Sequence, residues 1–190
     1  MKSVRYLLIV LVGLTASGCI SQNMAAPQPS MPVLEILRSS DLPVMQVGKF
    51  ALAPGKSASL DKSVGIRSVS LSSPYEGSFA KYLQQTLETD LRAAGKLDAN
   101  ADTVLEGLLT QSDVDAGIGT GTAVLGAKFS LLKGGKSVFE KDLAVHAQWD
   151  SSFIGAVAIP DAVNQYSSLY EKLVLELVSD KDFKAAAKAQ

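Results

Sequence analysis

The chain has 190 residues, with 18 Lys and Arg against 19 Asp and Glu, one histidine and one cysteine. That length admits one domain with a real hydrophobic core. The near-neutral charge balance offers no basic patch for nucleic acid, and a lone cysteine excludes an internal disulfide, so the fold must stand on buried apolar surface.

The first stretch, MKSVRYLLIVLVGLTASG, sets Lys2 and Arg5 ahead of an apolar run from Tyr6 to Leu14. A spanning helix needs about 20 apolar residues and this run has roughly half, so residues 1–18 read as a cleaved secretory signal. Ala16, Ser17 and Gly18 are small enough for the pocket of a signal peptidase, and with Cys19 they resemble a bacterial lipobox. The resemblance implies a diacylglyceryl group on the Cys19 thiol, cleavage just before it, and acylation of the new amino terminus. The alternative, ordinary secretory cleavage at the same small residues, would leave an unpaired thiol open to unwanted disulfides in an oxidising compartment. At about 0.8 kcal/mol per buried CH₂, two or three acyl chains hold a protein at a membrane for practical purposes permanently. Ile20 rather than Asp follows the cysteine, which resembles lipoproteins exported to the outer membrane.

Residues 20–32, ISQNMAAPQPSMP, hold three prolines and no charge. This composition reads as extended, solvated backbone. Residues 19–32 are therefore expected to form a lipidated amino terminus and flexible tether, able at roughly 3 Å per residue to lift the domain up to about 40 Å from the lipid. One periplasmic domain, 33–190, should follow.

Within it, VMQVGKFALA (44–53) and VGIRSVSL (64–71) read as two strands separated by a loop. In SSPYEGSFAKYLQQTLETDLRAAGKL, Ser73, Pro74 and Glu76 have the spacing of a helix-capping box; Phe79, Leu83, Leu87 and Leu91 make an apolar stripe that Gly95 ends. From Thr103 the period falls to two. Leu125, Ala127, Phe129 and Leu131 share one face; Phe139, Leu143, Val145, Ala147 and Trp149 share another, with Gly134 and Gly135 as a tight hairpin between. A last helix is expected from Pro160 and Asp161, with Val163, Tyr166, Tyr170, Leu173 and Leu177 on one side. Asp180 would cap a short final turn carrying Phe183. The predicted order is β-β-α-β-β-β-α, an α+β two-layer sandwich in which two helices cover a mainly antiparallel sheet.

Several fragments imitate known sites. KGGKS (133–137) resembles the end of a phosphate loop, but Ser130 stands where that motif needs glycine, and a hairpin explains it. AGIGTGT (116–122) spaces Gly117, Gly119 and Gly121 like a dinucleotide fingerprint, yet a strand rather than a helix follows. The same loop fails as a calcium site because Val124 holds the place of the bidentate glutamate. It reads better as a contact loop. His146, alone, falls on the polar face of its strand; no zinc cluster or cysteine nucleophile can be assembled around it, and no G-x-S-x-G elbow is present. Phe153 and Ile154, in WDSSFIGAVAIPDA, either line the core or present an apolar groove to a partner segment or acyl chain.

The lipobox at Ala16–Cys19, the proline-bearing segment, the helix FAKYLQQTLETDLRAAGKL, the strand TVLEGLLTQS and the later hairpin and helix together resemble the YajG-like lipoproteins. They also resemble, more distantly, auxiliary lipoproteins of ABC-type lipid transporters and lipoprotein activators of peptidoglycan synthases. The resemblance implies a non-catalytic module, lipid-anchored at the outer membrane and facing the periplasm, that binds envelope proteins during envelope assembly or lipid transport. A lipid carrier with an apolar groove and an envelope hydrolase using His146 are the alternatives. The expected contact residues are Gly117, Gly119, Gly121, Phe153 and Ile154. No catalytic residue, metal or cofactor is assigned beyond the acyl groups on Cys19, and the oligomeric state is left open.

Overall fold

Alternating apolar residues in the middle of the chain build the larger of the two sheets among the described residues, and two long helices pack on its inner face. The structure, a computed structural model, describes residues 20–188; the signal and lipobox readings, 1–18 and Cys19, lie outside the described residues. The elements are β1 (Ile20–Asn23), α1 (Met31–Ser39), β2 (Gln46–Leu52), α2 (Ser59–Lys62), β3 (Val64–Ile66), β4 (Val69–Ser72), α3 (Phe79–Ala93), β5 (Thr103–Asp115), β6 (Gly119–Lys133), β7 (Lys136–Ser151), α4 (Gly155–Ser179) and α5 (Lys181–Lys188). The four-stranded sheet runs β2-β5-β6-β7 and the three-stranded one β1-β4-β3. The larger sheet is antiparallel except at one edge, where β2 lies parallel to β5. With α3 and α4 packed against that sheet, the α+β sandwich expected from the sequence is the observed fold class.

The inner face carries the side chains that the alternation selects. Leu125, Ala127, Phe129 and Leu131 of β6 are fully buried. They meet Phe79, Leu83, Leu87 and Leu91 of α3 and Tyr166, Tyr170, Leu173 and Leu177 of α4, all within one core. Where the interior must hold hydroxyls, they satisfy one another: Ser112, Tyr166 and Tyr170 form a chain with oxygen separations of 2.7 and 2.9 Å. Burial pushes the phenol of Tyr166 well up, outweighing these hydrogen bonds, and pushes that of Tyr170 up as well.

Four local expectations are corrected. VGIRSVSL is a hairpin, not one strand, because Arg67 takes φ +53° and turns the chain between β3 and β4. The helix α3 starts at Phe79 rather than in the Ser73 box: Glu76 and Gly77 have φ +54° and +60°, outside the helical region. Its real cap is Ser78, whose hydroxyl accepts from the Lys81 amide at 3.2 Å, while Asp61 Oδ1 accepts from the Ala80 amide at 2.8 Å and from the Ser78 hydroxyl at 3.0 Å. The last long helix begins at Gly155 and contains Pro160 in its second turn. The carbonyl of Ala156 loses its helical donor there, and the exposure of Ala156 leaves that carbonyl to water.

The fourth correction concerns residues 20–32, expected as a solvated tether. They run along the domain instead. Ile20 to Asn23 pair in parallel with Val69 to Ser72, and the Met24 amide continues the ladder to the Ser72 carbonyl at 2.9 Å. Met24 is buried. The Tyr82 hydroxyl donates to the Ala25 carbonyl at 2.8 Å, and the Ser30 amide donates to Asp90 Oδ1 at 2.7 Å. Pro32, one of the three prolines, falls in the first turn of α1, and the partners of this segment lie tens of residues away in sequence. The turn of α1 that follows, with Val33, Leu34 and Leu37 buried, was not predicted.

Candidate functional site

One end of the molecule gathers four chain segments: the start of β1, the β3–β4 turn, the loop between β5 and β6, and the loop between β7 and α4. The organiser is Arg67. Its position at the tip of a tight hairpin aims the guanidinium across the ends of β5 and β7. Nε donates to the Ala116 carbonyl at 2.8 Å, Nη2 to the Ser152 carbonyl at 2.5 Å, and Nη1 to the Phe153 carbonyl at 3.2 Å. Longer bonds of 3.4 Å reach the Gly117 carbonyl and the Ser151 hydroxyl. One planar cation thus satisfies backbone acceptors of two loops at once, a task suited to its fork of donors.

Held this way, the loops turn their apolar side chains outward. Ile118 is 72% exposed, Phe153 77%, Ile154 60% and Val157, in the first turn of α4, 47%; Ile20, beside Val69 in the register, is 62% exposed. The sequence left two readings of Phe153 and Ile154, core lining or exposed surface, and in the structure they are exposed. They protrude from an end rather than line a groove between sheet and helix. The Ile154 amide is held by the Ser152 hydroxyl at 3.1 Å, so the loop's shape is set by backbone and Ser152, not by burial of its tip.

The three glycines singled out in sequence serve this end in different ways. Gly117 offers its carbonyl to Arg67. Gly119 opens β6 with φ +90°, a conformation that L side chains rarely adopt. Gly121 faces Trp149 across the β6–β7 ladder, and a Cβ there would strike the indole ring. Sequence reasoning missed Arg67 and Ile118. No local signal set Arg67 apart, since VGIRSVSL interleaves apolar and polar residues as a half-buried strand does and holds no Gly-Pro or Asn-Gly turn pair at Arg67.

His146 stands apart. It is exposed on the uncovered face of the larger sheet, opposite Val124, beside Gln111, Asp113, Thr122 and Gln148 in a shallow depression of ≈ 510 Å³. Among the described residues no three His, Cys, Asp or Glu side chains group to hold a metal ion. No helix among the described residues is long and apolar enough to cross a membrane. A second cleft, ≈ 530 Å³, lies between the N-terminal segment and α4, lined by Asn23, Tyr82, Thr86, Asn164, Ser167 and Glu171. Gly134 and Gly135, with φ +53° and +77°, form the β6–β7 hairpin where KGGKS resembled a phosphate loop.

No family model and no curated protein matches this sequence. Its fold does match solved structures. A Xanthomonas campestris protein of family DUF330 is 16% identical and aligns over 87% of this chain and 96% of its own, with a TM-score of 0.58. Protein CT253 of Chlamydia trachomatis is 10% identical over 78% of this chain and 99% of that one, with a TM-score of 0.48. A minor lipoprotein of Acinetobacter baumannii is 16% identical over 77% and 96%, with a TM-score of 0.39.

Proposed function

We propose that this chain is a lipid-anchored lipoprotein of the outer membrane whose domain faces the periplasm and works by contact, in envelope assembly or lipid transport. The observation that carries this reading is the small-small-Gly-Cys run at Ala16–Cys19, which ends one residue before an ordered strand. Acyl chains on Cys19 would confine the domain to a surface, where its encounters with other envelope components rise through effective concentration rather than through new contacts. The exposed side chains of Phe153 and Ile154 support contact work, because exposed apolar clusters mark interaction surfaces.

The test is mass analysis of the mature amino terminus together with fractionation of the envelope. The expected result is an acylated Cys19 in the outer-membrane fraction, and a Cys19→Ser chain that leaves that fraction. An unmodified thiol at Cys19 would overturn the reading. Crosslinking in native envelopes would then identify the contacted component.

A further inference from the structure

Resting on that lipoprotein reading, we infer that the end of the domain carrying Ile20, Ile118, Phe153, Ile154 and Val157 is seated in the bilayer that holds the Cys19 lipid.

The argument begins with reach. Ile20 is already paired with Val69, and adjacent Cα atoms are about 3.8 Å apart, so no free spacer separates an acylated residue 19 from the folded domain. With a flexible tether the domain could face the membrane with any side. Without one, the end from which residue 19 emerges is the end nearest the lipid. That same end bears the exposed Ile118, Phe153 and Ile154, joined to the β3–β4 turn beside Ile20 through the bonds of Arg67.

The backbone is prepared for such a place. Entry into the dehydrated headgroup boundary penalises unsatisfied carbonyls. Those of Ala116, Gly117, Ser152 and Phe153 already accept from Arg67, and the Ile154 amide donates to Ser152. These loop groups therefore need no water when the side chains dip, while the Ala156 carbonyl in the first turns of α4, left open by Pro160, must keep its own. The charges at this end are of both signs, Arg67 spent on backbone carbonyls and Asp115, Asp150 and Asp161 flanking the tips along the chain, with no basic patch for anionic lipid to attract. The contact is apolar, so seating should vary little with salt or with the anionic fraction of the bilayer.

The experiment uses the full lipidated chain reconstituted in vesicles of phosphatidylethanolamine and phosphatidylglycerol. Because Cys19 carries lipid, a single introduced cysteine is the one free thiol, and Ile118→Cys, Phe153→Cys and, as a distant control, Val138→Cys can each take an environment-sensitive fluorophore. All three positions are exposed, so labelling leaves the core intact. Flotation reads the anchor and quenching by spin-labelled lipid reads the depth. The expected result is several-fold stronger quenching at 118 and 153 than at 138, unchanged by added salt. Flotation with equal, weak quenching at all three positions overturns the seating and leaves the anchor standing. Shielding of 118 and 153 in native envelopes but not in vesicles also overturns it, in favour of a protein partner. Failure to float, with no acyl mass on Cys19, overturns the lipoprotein reading and this inference together.

Discussion

Two clusters of large apolar side chains lie at opposite extremes of solvent exposure in this domain. Phe79, Tyr166, Tyr170 and Phe183 are sealed between helices and sheet, while Ile118, Phe153 and Ile154 stand in water at the loop end. The first cluster has a reason for its burial in every neighbour: Phe79 meets Tyr166 edge to face at 5.5 Å, and Tyr166 meets Tyr170 at 5.6 Å. The second has backbone tied down and side chains left over. Apolar chemistry alone therefore does not assign a residue to the core. What assigns it is whether the fold brings partners to its side chain or only to its main chain.

The sharpest way to break this contrast is at its buried pole. Phe79→Ala empties a fully buried position against Tyr166 and should cost about 3–5 kcal/mol, the range for large-to-small aromatic truncation in a core. Urea unfolding should show a lowered midpoint with an unchanged slope. A loss under about 1 kcal/mol would mean that the aromatic layer is loosely packed and the contrast false.

A subtler cut keeps the ring and removes one oxygen. Tyr166→Phe takes the middle hydroxyl from the Ser112–Tyr166–Tyr170 chain and strands two buried polar partners. The expected cost is about 1–3 kcal/mol, read by the same unfolding experiment. Ser112→Ala with Tyr166→Phe should then cost less than the sum of the two single changes, since the pair shares one hydrogen bond.

The buried pole was readable from sequence because periodicity reports on it. The stripe Phe79, Leu83, Leu87, Leu91 and the alternation through Leu125 to Leu131 need no knowledge of their partners, and Asp180 caps α5 as its position suggested, accepting from the Phe183 amide at 2.8 Å. The loop end was readable only in pieces. Gly117, Phe153 and Ile154 stand out in sequence, but what joins them is Arg67, 49 residues from Ala116 and 86 from Phe153. The docking of residues 20–32 was hidden for the same reason: Asp90 lies 60 residues from the Ser30 amide it holds. Local pattern carries local structure, and long-range hydrogen bonds leave no period behind.

That long-range tie has a pH signature. Burial pushes the Asp90 carboxyl up to about 6, with the Ser30 amide pulling the other way and Glu171 adding a little to the rise. Its second oxygen has no hydrogen-bond partner among the described residues. Since the folded state binds this proton more tightly than the unfolded chain, whose ordinary value is 3.8, stability falls as pH rises from about 4 through about 6. Asp90→Asn keeps an acceptor for Ser30 and removes the charge. The variant should gain stability on the order of 1 kcal/mol at pH 7.5, with the gain fading by pH 4. Thermal unfolding at both pH values checks it, and an equal effect at both would remove Asp90 as the source.

The smallest expected effect sits at the exposed pole. Phe153→Ala changes a side chain that is mostly in water, and the bonds that shape its loop do not involve the ring: Arg67 Nη1 grips the Phe153 carbonyl, and Ser152 holds the next amide. Stability should therefore move by no more than about 0.5 kcal/mol, as for surface positions that lack a structural role. Phe79→Ala removes the same atoms, so any difference between the two variants reports environment and nothing else. A Phe153→Ala chain that unfolds as easily as Phe79→Ala would show that the ring braces the loop from within, and its exposure could no longer be read as a surface kept for contact.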